Sequence, residues 1–301
     1  MKTDSPPVGI IILNWNNYAD TKECLNSLKN QSYDNYEVYV VDNNSSDDSS
    51  YKLEQEFKNH TFIYNSENVG FSAGNNKGIK KALNDGVEYV LILNNDATLL
   101  ENTIIELVRA AESSKRVAIV GGVLRYKRNG KIYTAGGDFR STLVKFSNNT
   151  KPEDGLYQTE FVTGAMMLLS RDFLLSHGLL NENYFFGMED IEITWKARQN
   201  GWNVLINPDA IGYHEKGASG GAGKFRYYHS TRNRLIFASD NLLIHQYICF
   251  ILFFTFSRIF RFIQWLITFN SELITSTMLA VFDYIRGSSP KRMYLLEDKY
   301  S

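Results

Sequence analysis

The chain has 301 residues, with 32 Lys and Arg against 33 Asp and Glu, for a formal net charge of −1. That balance gives no general attraction to nucleic acid, and the length suffices for one large domain with or without an appendage. Cys24 and Cys249 lie far apart in unlike contexts, which argues against a disulfide framework or a zinc site and suits a reducing cytoplasm.

The apolar run that follows Lys2 covers only residues 8–13. It is too short for a signal segment and reads as a first strand. From there to about residue 125, apolar runs alternate with amphipathic ones, the pattern of βαβ units. Strands are expected over 8–13, 37–41, 61–64, 89–93 and 117–124, and helices over 20–30, 47–58, 73–84 and 101–114. Between Tyr126 and Glu160 the alternation gives way to Gly130, Gly136-Gly137, Asn148-Asn149 and Pro152, a loop-and-hairpin region of the kind that carries specificity. A strand over 161–169, a short helix over 171–177 and a helix over 191–200 stopped by Gly201 follow.

Three of these strands run into oxygen-rich loops: the first into Asn14, the second into Asp42-Asn43-Asn44, the fourth into Asn94-Asn95-Asp96. Open α/β sheets bind ligands at such an edge, although Asn and Asp also simply make turns. Asp42, with Asn14 and Asn44 beside it, suits a pyrimidine N–H or a ribose hydroxyl. The stretch 67–78 holds Asn68, Gly70 and Asn75, whose amides and open backbone suit ribose or phosphate at a helix entry. A plain helix-entry turn explains that stretch too, and it matches neither the Walker loop nor the dinucleotide fingerprint. Asp96, with Asn95 next to it, is the candidate carboxylate for Mn²⁺ or Mg²⁺, ions that take one or two protein carboxylates and fill the rest with phosphate and water.

A second cluster, Gly187-Met188-Glu189-Asp190, opens the helix that carries Trp195. A carboxylate at a helix N-terminus is held as the anion and so can accept a proton, yet Asp190 is also a suitable N-cap. Tyr184-Phe185-Phe186 just before it forms an apolar wall fit for a sugar. His214 ends a strand-like run, and is a metal ligand only if the fold brings it to Asp96. The glycine-rich run 217–223 is either a closing loop or an inert linker.

Taken together and in this order, these stretches resemble family 2 of the inverting glycosyltransferases, in the rhamnosyltransferase-like branch of bacterial cell-surface glycan enzymes. The resemblance rests on Ile12-Leu13-Asn14-Trp15-Asn16, Val41-Asp42-Asn43-Asn44-Ser45, residues 68–76, Leu93-Asn94-Asn95-Asp96 and Gly187-Met188-Glu189-Asp190, and covers residues 8–240. It implies an α/β fold of the GT-A type, a mixed and mostly parallel sheet flanked by helices, with a nucleotide-binding half over 1–125 and an acceptor half over 126–240. It also implies transfer of one sugar from a UDP- or dTDP-linked donor to a hydroxyl of a glycan, be it polysaccharide, lipid-linked or on a glycoprotein. Asp42 matches the base reader, Asp96 the metal carboxylate, Asp190 the catalytic base and His214 a metal or diphosphate ligand. Gly187, Glu189 and Trp195 fall at the acceptor. Asn94 stands where many relatives carry another acid. Two rivals remain: an inactive nucleotide-sugar-binding module, which Asn94 favours, and a nucleotidyltransferase, which would carry a basic, glycine-rich loop where Asn14-Trp15-Asn16-Asn17-Tyr18 stands.

Residues 241–301 form an apolar, aromatic-rich extension. Its charge-free stretch, 241–257, is shorter than the ~20 residues a spanning helix needs, and Arg258 and Arg261 follow it. A homo-oligomer through paired helices is expected, with peripheral contact to the inner face of the cell membrane compatible with it.

Overall fold

The computed structural model describes residues 5–215 and 223–288. They form two compact units: one runs to Asp138 and adds Ser147–Asn181 and the chain from Glu189 through the last strand. The other joins Phe139–Phe146 and Glu182–Met188 to the C-terminal helices.

In chain order the first unit begins β1 (Val8–Asn14), α1 (Tyr18–Leu28), β2 (Tyr36–Asp42), α2 (Ser49–Glu56), β3 (Thr61–Tyr64), α3 (Gly70–Asn84), β4 (Tyr89–Leu93), β5 (Ala97–Leu99) and α4 (Thr103–Glu112). Then come β6 (Val117–Tyr126), β7 (Ile132–Thr134), the hairpin of β8 (Gly137–Arg140) and β9 (Lys145–Asn148), whose residues 139–146 belong to the other unit, and β10 (Tyr157–Gln158). β11 (Met166–Ser170), α5 (Arg171–His177), α6 (Glu189–Gln199) and β12 (Asn203–His214) complete it. The sheet order is β10-β12-β6-β11-β4-β1-β2-β3. β1 to β4 are mutually parallel, β12 runs parallel to β6, and β11 lies antiparallel between β4 and β6. This is the expected mixed, mostly parallel sheet with helices on its faces.

Period-2 alternation distributes each central strand between two cores. Ile10 and Ile12 of β1 and Leu91 and Leu93 of β4 face a core shared with Leu25 of α1 and Leu107 of α4. Ile11, Val90 and Ile92 face the opposite core, shared with Ile79 of α3, Phe173 of α5 and Ile193 of α6. The buried strands therefore read as continuous apolar runs that can end only where the sheet ends. Their polar tips all fall at one edge.

α3 starts at Gly70, three residues earlier than the sequence pattern predicts, because Gly70 adopts φ +83° and turns straight into the helix. The helix lies against β1 on a glycine face. A Cβ on Gly78 would stand 2.6 Å from Ile11 Cγ2, and one on Gly74 2.6 Å from Leu13 Cδ1.

The second unit contains α7 (Lys224–Asn241), α8 (Ile244–Ile267) and α9 (Ser271–Arg286), so α7 packs with the helical extension. Tyr228 of α7 donates to the buried Asp283 carboxylate of α9 at 2.8 Å. Arg234 donates to the carbonyls of Leu143 (2.6 Å) and Val144 (3.2 Å). Of the glycine-rich run, residues 217–222 lie outside the described residues.

Replacing Gly78 by Val overpacks the α3–β1 contact. The expected cost is about 1–3 kcal/mol, read as a lower urea midpoint with an unchanged slope.

Candidate active site

The tips of β1, β2 and β4 are joined by one buried chain of hydrogen bonds. Asn95 Nδ2 donates to Thr21 Oγ1 (2.9 Å), Thr21 Oγ1 donates to Asn14 Oδ1 (2.9 Å), and Asn14 Nδ2 donates to Asp42 Oδ1 (3.1 Å). Asn14 also points its amide at Ser49 Oγ (3.0 Å) and is fully buried. It therefore sits behind Asp42 and positions it. Asp42 Oδ1 further accepts from the hydroxyls of Ser45 and Ser50, while Oδ2, among the described residues, takes only the backbone N–H of Ser45 at 3.0 Å. A carboxylate oxygen has two lone-pair directions, so Oδ2 keeps one for a further donor. Asn44 follows in a left-handed turn (φ +61°) with its side chain exposed.

The glycine-bearing turn before α3 is held by an amide cluster that the sequence pattern does not single out. Asn43 Nδ2 donates to Asn68 Oδ1 (2.8 Å), and Asn43 Oδ1 accepts from Asn65 Nδ2 (3.0 Å) and Val69 N (3.1 Å). Asn68 Oδ1 also accepts from Gly70 N at 3.0 Å. Asn75, expected at the ligand, is buried on α3 and donates to Phe71 O one turn back at 2.9 Å.

Asp96 lies past β4, where the chain turns into β5. That three-residue strand pairs antiparallel with the end of β12, with Ala97 opposite His214. The pairing brings His214 Nε2 to 3.1 Å from Asp96 Oδ1, and Asn94 Nδ2 to 3.4 Å from the same ring nitrogen. Asp96 is 1% exposed, and neither carboxylate oxygen has a hydrogen-bond donor among the described residues. A buried carboxylate without donors is costly unless a positive charge compensates it. An oxygen and an imidazole nitrogen suit Mn²⁺, with phosphate and water completing the shell, while Mg²⁺ would rest on the carboxylate oxygen. Cys24, buried close by, directs its thiol at Asn94 O (3.6 Å), and burial pushes that thiol far above its ordinary pKa. It packs there as an inert group.

α6 begins at Glu189, so Asp190 stands inside its first turn. Its Oδ1 accepts from Ile191 N at 2.9 Å and its Oδ2 from Gly164 N at 3.2 Å. Packed protein around the carboxyl removes hydration from the charged form and raises its pKa to about 6, against the partial opposition of these N–H groups. The next residue, Ala165, accepts from Asn94 N at 3.1 Å. One short turn before β11 thus touches both Asp190 and the Asn94-Asn95-Asp96 stretch. The sequence offers only three small residues, Thr163-Gly164-Ala165, as a sign of it. Glu189 is buried and Trp195 half-buried on α6. Gly187 belongs to the helical unit, where Asn233 Nδ2 donates to its carbonyl (2.7 Å) and to that of Phe186 (3.0 Å).

A mixed, mostly parallel sheet flanked by helices, with polar strand tips gathered at one edge, is the architecture of the GT-A class. Comparison with known proteins agrees: residues 9–178 match the model of glycosyl transferase family 2, and the chain belongs to that family. It is 28% identical over 249 residues to the low-salt glycan biosynthesis hexosyltransferase Agl10 of Haloferax volcanii, covering 78% of this chain and 76% of that one. It is 25% identical over 225 residues, 68% of this chain and 65% of the other, to a dolichyl N-acetyl-α-D-glucosaminyl phosphate 3-β-D-2,3-diacetamido-2,3-dideoxy-β-D-glucuronosyltransferase of Methanococcus voltae. Among solved structures, GalNAc-T7 with UDP, GalNAc and Mn²⁺ superposes with a TM-score of 0.62 at 16% identity, over 80% of this chain and 52% of that one. S. aureus TarS does so at 0.57 and 16%, over 80% and 41%. This chain thus spans about half or less of those two structures, and the likeness to them is one of fold.

Thr21→Val keeps the shape of its side chain but cuts the link between Asn95 and Asn14. Leaving two buried amide groups unpaired should cost about 1–3 kcal/mol, measured by urea denaturation.

Proposed function

We propose that this glycosyltransferase moves one sugar, with inversion, from a UDP- or dTDP-linked donor to a hydroxyl of a glycan acceptor. The observation that carries the reading is Asp96, closed off from solvent at a strand tip, with no hydrogen-bond donor on either oxygen among the described residues and 3.1 Å from His214. Asp96 and His214 would hold a divalent ion against the donor diphosphate. Such an ion, when bound, neutralises charge that develops on the leaving group. Asp42 would take a base or ribose donor on the open lone pair of Oδ2, with Asn44 beside it. Asn14, Asn43, Asn68, Asn75 and Asn95 would set the loops in place, with the Gly70 backbone open to the donor.

Asp190 would act as general base. It takes the proton from the acceptor hydroxyl while that oxygen bonds to the anomeric carbon. The bond from that carbon to the diphosphate breaks, and its electron pair leaves with the diphosphate. A carboxyl with a pKa of about 6 is ionised at neutral pH yet basic enough to share a proton in the transition state. Glu189 and Trp195 would line the acceptor. The Methanococcus relative, whose name describes a dolichyl phosphate-linked acceptor, supports the lipid-linked alternative among glycan acceptors. The free thiols of Cys24 and Cys249 suit a cytoplasmic setting, at the inner face of the membrane.

Asp190→Asn should bind donor as the parent does but lose transfer by about a hundred- to ten-thousand-fold, measured as sugar incorporated per enzyme. Near-parental turnover would return Asp190 to a structural role. In the parent enzyme the base must be deprotonated, so the rate should fall tenfold per pH unit as pH drops through about 6. A rate flat across that range would contradict the assignment. Thermal shift across UDP-, GDP- and dTDP-sugars, with and without Mn²⁺, should show a metal-dependent rise in melting temperature for one donor. Asp96→Asn should abolish that metal dependence, and a rise that persists in the variant would argue against the metal reading.

A further inference from the structure

Within the helical unit, α8 is 24 residues long, roughly 36 Å. It contains no acidic residue. Among the described residues it is the one helix long and apolar enough to cross a membrane. One edge is docked: Phe250, Phe254 and Trp265 are buried, while Ile248, Leu252, Phe256, Ile259, Phe260 and Ile263 stand exposed at helical spacing. Phe256 leaves 74% of its surface open and Phe260 67%. Contiguous apolar surface of this extent marks an interaction site.

The docked edge excludes a spanning orientation. Arg234 of α7 lies 5.6 Å and 5.7 Å from the ring centroids of Phe250 and Phe254. Arg258 lies 4.9 Å from Phe254 and donates to Thr231 of α7 at 3.5 Å, and Arg261 donates to Tyr227 of α7 at 3.2 Å. These cations sit around and beyond the midpoint of α8. Standing it across a bilayer would draw them and the polar side of α7 into hydrocarbon, where cations are costly. Lying flat, the helix keeps that edge on protein and turns the other to the acyl boundary.

Charge separates a lipid partner from a second copy of the chain. Residues 223–288 hold seven Lys and Arg against three Asp and Glu, a net of +4, although the whole chain is −1. Two such units face to face repel, whereas an anionic leaflet attracts them. We propose that the outer face of α8 is a docking surface for an anionic phospholipid bilayer, with the helix lying in the plane of the interface. None of the residues assigned to transfer belongs to α8, and the inference does not depend on that assignment.

The test is co-sedimentation of the full chain, without donor or metal, on vesicles of equimolar phosphatidylcholine and phosphatidylglycerol and on phosphatidylcholine alone. The expected result is sedimentation with the mixed vesicles, on the order of tenfold above that with the neutral ones, and its loss in high salt. The double variant Phe256→Glu with Phe260→Glu should stay in the supernatant with an unchanged melting curve. Ile248→Gln, a milder change, should weaken binding in the same direction. No sedimentation with either vesicle would overturn the proposal. So would a detergent-free dimer that the double variant splits into monomers. A donor-dependent thermal shift is read without vesicles, so failure of the transfer reading and failure of this one are distinguishable.

Discussion

A carboxylate that is shut away from water and given no hydrogen-bond donor is stable as an anion only beside a positive charge. Asp96 is buried with no hydrogen-bond donor among the described residues, and its neighbours come from far along the chain. The antiparallel pairing of β5 with the end of β12 supplies His214. The chain from Asn95 through Thr21 and Asn14 to Asp42 fixes the neighbouring strand tips at the same edge. The Gly164-Ala165 turn brings Asp190 into register with the Asn94-Asn95-Asp96 stretch. Separate parts of the chain thus converge through short polar contacts, and of these only the one from Thr21 to Asn14 lies within a single βα unit.

Two carboxyls with opposed environments follow from this arrangement. Asp96 has no hydrogen-bond donor among the described residues and an imidazole within reach. Asp190 has two backbone donors, yet packed protein still raises it to about 6. A transferase needs one group that stays with positive charge and another that exchanges a proton near neutrality. Backbone N–H groups of Gly164 and Ile191 hold the Asp190 carboxyl, while Asp96 has His214 as its polar neighbour.

Much of this was legible in the sequence because buried parallel strands are apolar from end to end and must stop at something polar. The runs into Asn14, Asp42 and Asp96 therefore marked the edge correctly. The type of residue did not reveal its direction: Asn75 turns back to Phe71 O and Asn14 turns inward to Asp42, since an amide serves a neighbour as readily as a ligand. β5 has three residues and pairs with a strand far along the chain, so the approach of His214 to Asp96 left no local trace. The strand expected over 161–169 begins at Met166, because Thr163, Gly164 and Ala165 are taken up by the turn that meets Asp190 and Asn94. The change in composition near residue 240 marked the extension, but α7 packs with it for reasons of contact, such as the buried Tyr228–Asp283 pair, that periodicity does not show.

The most direct measurement is the anomalous scattering of manganese in crystals grown with UDP and Mn²⁺. The predicted result is one strong peak within coordination distance of an Asp96 carboxylate oxygen, bridged to the diphosphate. A peak elsewhere on the chain, with the Asp96 side chain and His214 left as they stand, would contradict the account.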